Sequence, residues 1–148
     1  MNALAAYFTL LVIVALFFGF IASRKTLVGP AVLFFGLLPL IPVKLVGRSL
    51  KSIGADVIYG VVDGSILGVF ALTGASLAGT IGAVFGSAAG NALSDGFGGL
   101  WEGQVASWLR THGIEEARTP LSASMGKMSG VALGAGIMLT LAWTLLKI

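Results

Sequence analysis

Residues 53–100 read IGADVIYGVVDGSILGVFALTGASLAGTIGAVFGSAAGNALSDGFGGL, and their only charged residues are Asp56, Asp63 and Asp95. About 20 consecutive apolar residues suffice for one helix to cross a bilayer, so the stretch is long enough for two crossings. We predict one span over 53–74 and a second over 75–100, joined by a very short turn without charge. The stretch therefore predicts a helical hairpin inside a membrane.

The flanking sequence raises the number of predicted spans to about five. Runs at 2–22 and 121–146 are long enough to cross a bilayer, and a shorter run at 27–43 contains three prolines. Proline removes a backbone donor, so we expect the Pro39 to Pro42 end of that run to be kinked or to leave the membrane. The run at 2–22 lacks the basic region of a signal peptide, which favours an uncleaved anchor.

Composition supports the same fold class, an all-α polytopic membrane protein. The chain has 148 residues, of which 57% are hydrophobic and 10% charged, and its mean hydropathy is +1.00. A soluble domain has about 25% charged residues, so this chain cannot cover a globule with a polar surface. The net charge of +3 lies at the ends of apolar runs, which suits lipid headgroups and argues against nucleic acid.

One amphipathic stretch, residues 101–118, interrupts the apolar runs. Its apolar residues recur with helical spacing at Trp101, Val105, Trp108 and Leu109. This pattern predicts a helix lying in the headgroup region, after which Thr119 and Pro120 form a start signal for the last span. We therefore divide the chain into an N-terminal pair of membrane helices, 1–52, and a three-helix core, 53–148, that includes the interfacial helix.

Three predicted spans carry glycine at every fourth position. These glycines are Gly60, Gly64 and Gly68, then Gly82, Gly86 and Gly90, then Gly126, Gly130 and Gly134. A spacing of four places them on one helix face, where a partner backbone can approach closely. We interpret the ladders as packing surfaces, available both within the three-helix core and for pairing of subunits.

Acidic residues inside the spans are the candidate functional groups. Asp63 lies near the middle of its span, where an ionised carboxylate costs about 2.5–3.5 kcal/mol. We expect it to face the bundle interior and to meet a partner, a proton or a cation. Asp56 and Tyr59 continue the same helical face toward one membrane surface and would line an entry path.

The next span carries a matching polar stripe at Ser87, Asn91 and Asp95, spaced four residues apart. Together with Asp63 and Ser94 it supplies hydroxyl, amide and carboxylate oxygens, which hard cations prefer. Sodium, calcium or a proton relay would fit, with Asp63 and Asp95 as the charged ligands. A purely structural role is also open, since each acid could form a hydrogen bond across helices. With one histidine and no cysteine, an enzyme is not expected.

Three blocks resemble the conserved core of the transmembrane protein 65 family. They are Gly60-Val61-Val62-Asp63, then Gly90-Asn91-Ala92-Leu93-Ser94-Asp95, then Met125-Gly126-Lys127 followed by Gly130, Val131 and Gly134. The resemblance covers about residues 53–138. The family usually has Asn after its first Asp, where this chain has Gly64, and a histidine often stands at the position of Ser124.

The resemblance implies an inner-membrane protein tied to sodium-dependent calcium efflux, as the exchanger or as its regulator. The chain shows no mitochondrial transit signal, so a bacterial inner membrane is the expected location. Our leading hypothesis is a cation antiporter that works as a homodimer or larger oligomer. The rival hypothesis is a scaffold or regulator that transports nothing, whose acids bridge helices. No organic cofactor is expected.

Overall fold

The structure is a computed structural model that describes residues 24–113 and 119–147, together with residues 8–9, 11–16 and 19. The regular elements of residues 24–113 and 119–147 are all helical, which confirms the predicted all-α class. They are α1 (Lys25–Leu37), α2 (Leu40–Leu45), a 3₁₀ turn (Leu50–Ile53), α3 (Gly54–Thr111) and α4 (Pro120–Leu139), which continues into a π-helical turn (Thr140–Leu145). The predicted span at 2–22 lies largely outside the described residues.

α1 and α2 form the predicted second span, and the break between them lies at Pro39. Pro39 has no N–H to donate, so the helical ladder is interrupted there. The N–H of Leu38 instead donates to the carbonyl of Phe35 at 3.1 Å, a tighter spacing than in an α-helix. The helical hydrogen-bond pattern is thus interrupted at the Pro39 end of the predicted span.

α3 is a hairpin of two helical arms. Its helical dihedral angles are interrupted only at Ala78 (φ −143°, ψ 27°) and Gly79 (φ 58°, ψ −138°). We call residues 54–77 arm α3a and residues 80–111 arm α3b. The predicted hairpin is confirmed, but its turn lies about four residues later than predicted. Gly74 belongs to the arm and not to the turn, because it packs against the backbone of Gly82.

α4 packs between α1 and α3a. Thr119 caps its first turn, its hydroxyl accepting from the N–H of Ser122 at 3.1 Å, and Pro120 follows as the first helical residue. The predicted start signal is therefore confirmed. Gly36 of α1 contacts Leu133 on one side of α4, so part of the predicted N-terminal pair packs directly on the core.

The prediction of a separate interfacial helix over 101–118 is wrong for residues 101–111. These residues continue α3b without a break in helical dihedral angles. Ala106 and Leu109 are buried in a cluster with Ala55 at the start of α3a. Val105 and Leu109 of the apolar face therefore pack on the other arm, whereas Trp108 is 54% exposed. Residues 114–118 lie outside the described part.

Three stretches are long and apolar enough to cross a membrane: Lys25–Leu45, Leu50–Gly98 and Pro120–Leu145. The middle one contains the hairpin turn, and each arm exceeds the ~30 Å hydrocarbon core at ~1.5 Å per residue. Large apolar side chains stay exposed near the turn, such as Leu77 at 82% and Ile81 at 81%. This surface is compatible with a protein embedded in lipid.

Candidate functional site

A ladder of small residues brings the two arms of α3 into close contact. Between residues 82 and 98, the buried positions of α3b recur every four residues at Gly82, Gly86, Gly90, Ser94 and Gly98. A Cβ on Gly86 would lie 2.1 Å from the carbonyl oxygen of Phe70, so no side chain fits there. Ser94 and Gly98 thus extend the predicted ladder of Gly82, Gly86 and Gly90. The polar groups of both arms meet beside this ladder. We call this contact the arm seam.

Asp63 and Ser94 meet inside the arm seam. Asp63 is only 8% exposed, and the hydroxyl of Ser94 donates a short hydrogen bond to its Oδ1. The same hydroxyl lies 3.0 Å from the carbonyl oxygen of Asn91, one turn earlier on its own helix. A hydroxyl has one proton, so Ser94 can serve Asp63 or its own backbone at any moment, but not both fully.

Asp95 lies at the open edge of the same seam. The hydroxyl of Tyr59 donates to its Oδ1 at 3.0 Å, and the amide of Asn91 donates to its Oδ2 at 3.0 Å. Asp95 and Asn91 are exposed, whereas Tyr59 is buried against Gly98. A Cβ on Gly98 would lie 2.1 Å from the ring of Tyr59, so this glycine leaves room for the bridge between the arms.

Lys127 of α4 joins this polar group from the third helix. Its Nζ lies 4.7 Å from the centroid of the Tyr59 ring, a cation–π distance. The side chain therefore packs against α3a at Tyr59.

Two of the predicted site residues lie away from the seam. Ser87 is half-buried, and its hydroxyl donates to the carbonyl of Ala83 in its own helix at 2.8 Å. Asp56 is fully buried against α4, where a Cβ on Gly126 would lie 2.7 Å from the Cβ of Asp56. Asp56 therefore lines no open path in this structure, although Tyr59 does lie between it and the seam acids along α3a.

The oxygen atoms at the seam suit a hard cation in kind but are few in number. Within one copy the seam offers two carboxylates, Asp63 and Asp95, with amide and hydroxyl oxygens beside them, whereas calcium takes 6–8 oxygen ligands. Across the described residues, no three His, Cys, Asp or Glu side chains are grouped as metal ligands. Two cavities among the described residues, of about 310 and 240 Å³, are lined by neither acid.

Sequence reasoning found the acids and the polar stripe but missed how they pair. The bridge from Tyr59 to Asp95 and the position of Lys127 depend on how the arms are aligned, which one helix face does not reveal. Gly98 could have been found, because it continues the four-residue spacing of Gly90 and Ser94.

Comparison of the chain with protein-family models, with curated proteins and with solved structures gives no match. The resemblance to the transmembrane protein 65 family therefore stays a prediction from the quoted motifs.

Proposed function

We propose that the protein is integral to a membrane and moves a cation across it by way of the arm seam. In this proposal α1, both arms of α3, and α4 cross the bilayer, and the segment 2–22 makes a fifth crossing. The apolar length of Lys25–Leu45, Leu50–Gly98 and Pro120–Leu145 supports the crossings. The bacterial inner membrane is the location that the family resemblance suggests.

The observation that carries the proposal is the meeting of Asp63 and Asp95 at one seam inside apolar helices. Carboxylates at membrane depth are costly and typically belong to ion or proton pathways. Asp63 is buried and accepts a hydrogen bond from Ser94, while Asp95 is exposed and accepts one from Asn91. This set of oxygens fits sodium or calcium better than a transition metal, which prefers sulfur or imidazole ligands.

In the proposed mechanism the cation replaces hydrogen-bond donors. Without a cation, Ser94 donates a hydrogen bond to Asp63, and Tyr59 donates one to Asp95 across the seam. An arriving cation takes over their role, and both hydroxyls then turn their lone pairs toward it. Since the same two bonds hold the arms together, binding permits a shift of one arm and exposes the site to the other side.

One observation favours the second candidate, a scaffold or regulator that transports nothing. Each acid already accepts a hydrogen bond from the opposite arm, Asp63 from Ser94 and Asp95 from Tyr59. Such bonds between helices satisfy the acids without any ion and hold the hairpin together. In that case the two carboxylates would act as structural bridges.

Cation flux into liposomes that contain the purified protein decides between the two candidates. The variants are Asp63→Asn and Asp95→Asn, which keep an oxygen acceptor for Ser94 and Tyr59 and remove the charge. Gly103→Ala is the matched control, because a Cβ there meets nothing within 4 Å. We expect sodium-dependent calcium movement that both Asn variants abolish and the control retains.

Two results would overturn the transport proposal. A folded wild type that moves neither ion under any gradient leaves the scaffold as the function. Flux that survives both Asn substitutions means that the route lies elsewhere than at the arm seam.

A further inference from the structure

The glycines of all three predicted ladders pack against other helices of the same copy of the chain. Gly60 and Gly64 face Val131 of α4, and Gly130 faces Val57 in return. Gly86 packs on Phe70 of the opposite arm. The expectation that these ladders also pair subunits is therefore wrong for this structure, and a second copy would need another surface.

The open side of α3b offers such a surface. Ala88, Ala92 and Gly96 are all exposed and repeat with the four-residue spacing of the buried ladder. They are offset from Gly90 and Ser94 by two residues, which is about 200° around a helix, so they lie opposite α3a. A Cβ on Gly96 would meet nothing within 4 Å in this copy, so this side of the helix is open.

Large side chains bound this surface on one flank. Ala92 and Gly96, with Leu93 and Phe97, line a groove of about 240 Å³. Leu93 is 45% exposed and Phe97 is 59% exposed, so the two form a ridge beside the small residues. A floor of small residues next to a ridge is the shape that lets a second helix approach closely within a membrane.

The other flank is polar, and this argues against lipid as the occupant. Asn91 and Asp95 are exposed there, within a stretch apolar enough to cross a bilayer. A carboxylate facing hydrocarbon costs up to about 2.5–3.5 kcal/mol at the centre of a membrane helix, so a polar partner is favoured over lipid. One amide N–H of Asn91 donates to Asp95, and an amide carries two such donors.

A second copy of the same chain would offer this flank both a hydrogen-bond donor and an acceptor. The flank presents a donor, the amide of Asn91, one helical turn from an acceptor, the carboxylate of Asp95. In a two-fold pair each copy offers its amide to the other copy's carboxylate, so that the contact is self-complementary. A hydrocarbon chain offers neither group.

We propose that the face formed by Ala88, Asn91, Ala92, Asp95 and Gly96 binds the same face of a second copy. The inference rests on the proposed membrane insertion and deepens the proposed cation site. Two copies bring two Asp95 and two Asn91 side chains together, while Asp63 stays at the arm seam of each copy. The number of oxygens then approaches the 6–8 that calcium takes, so the cation site is complete only in the dimer.

Disulfide cross-linking in native membranes tests the face directly, because the chain has no cysteine of its own. Single variants Ala92→Cys and Gly96→Cys place one thiol in the proposed contact. Phe34→Cys and Leu37→Cys on α1 are exposed controls outside it. Disulfides require Cα atoms about 4.4–6.8 Å apart, so we expect a dimer band several-fold stronger for the first pair.

A bulky substitution gives a second, independent test. Ala92→Leu fills the contact but points away from α3a, so it should convert the dimer to monomer in detergent without unfolding the copy. A wild type that is monomeric, equal cross-linking at Phe34→Cys, or an Ala92→Leu dimer as strong as wild type would each overturn the proposal.

The two proposals fail separately. Cross-linking at residues 92 and 96 in a protein without flux keeps the dimer face and removes transport. Flux in a protein that does not cross-link at these positions keeps transport and removes this face.

Discussion

The close contact between α3a and α4 makes Gly64→Ala the sharpest test of the packing. A Cβ on Gly64 would lie 2.1 Å from the carbonyl oxygen of Val131, and both groups belong to the backbone or are fixed to it. Ordinary contact begins near 3.4 Å, so the two helices must separate by about 1.3 Å. Gaps of 0.5–1 Å already remove about a quarter to a half of the dispersion energy of neighbouring atoms.

The expected loss of stability follows from two opposing contributions. Overpacking of this kind costs about 1–3 kcal/mol, while Ala gains about 0.8–1.0 kcal/mol over Gly in helix propensity. The matched variant Gly103→Ala receives only the second contribution, because a Cβ there meets nothing within 4 Å. The difference in unfolding free energy between the two variants therefore measures overpacking alone, and we expect about 1–3 kcal/mol.

Unfolding in mixed micelles, titrated with sodium dodecyl sulfate and followed by tryptophan fluorescence, measures this difference. The chain has three tryptophans and none lies at the substituted positions. If Gly64→Ala is as stable as Gly103→Ala, then α3a and α4 do not approach as closely as described here, and the packing argument is refuted.

Two further predictions concern the seam and the turn. Tyr59→Phe removes the hydroxyl that bridges to Asp95 but keeps the ring beneath Lys127, so it should lower the unfolding free energy by about 1.5–3 kcal/mol in the same titration. Equal stability of Tyr59→Phe and wild type would show that the bridge contributes nothing. Gly79→Ala should cost about 1–3 kcal/mol, because φ 58° with ψ −138° suits glycine and strains other residues. A loss no larger than for Gly103→Ala would contradict the described turn.

Features that depend on local chemistry could be predicted from the sequence. The start of α4 follows from Thr119 and Pro120, and the break before α2 follows from Pro39. The hairpin itself follows from the apolar length of residues 53–100. The predicted position of the turn was wrong, because the sequence does not distinguish the roles of Gly74 and Gly79. Gly74 packs closely on the opposite arm, whereas Gly79 adopts the positive φ of the turn.

Features that depend on partners could not be predicted, since one pattern fits several partners. The face of Val105 and Leu109 suits a headgroup region as well as another helix, and here it packs on Ala55. The small residues of α1 show the same limit. Gly29 contacts the backbone of Thr140 and Gly36 contacts Leu133, yet neither belongs to a four-residue ladder.

The sequence indicated most residues of the candidate site but not the hydrogen bonds between them. Asp63, Asn91, Ser94 and Asp95 do meet at one seam, because they lie on helix faces that the hairpin turns toward each other. Ser87 was assigned to the site by spacing alone, but its hydroxyl bonds to the backbone of its own helix. Serine inside a helix has that alternative at every position, so spacing cannot decide where its proton goes.

The construction of the arm seam ties the site to the fold. Small residues allow the backbones to approach but offer little side-chain surface, so directional contact across the seam depends on bonds such as Ser94 to Asp63 and Tyr59 to Asp95. In the proposed transport mechanism a cation replaces these bonds, which couples ion binding to movement of the arms. A transporter needs this coupling, whereas a scaffold needs only the closed form. Replacing the acids with Asn preserves the acceptors and removes the charge, so it separates the two functions at the same atoms.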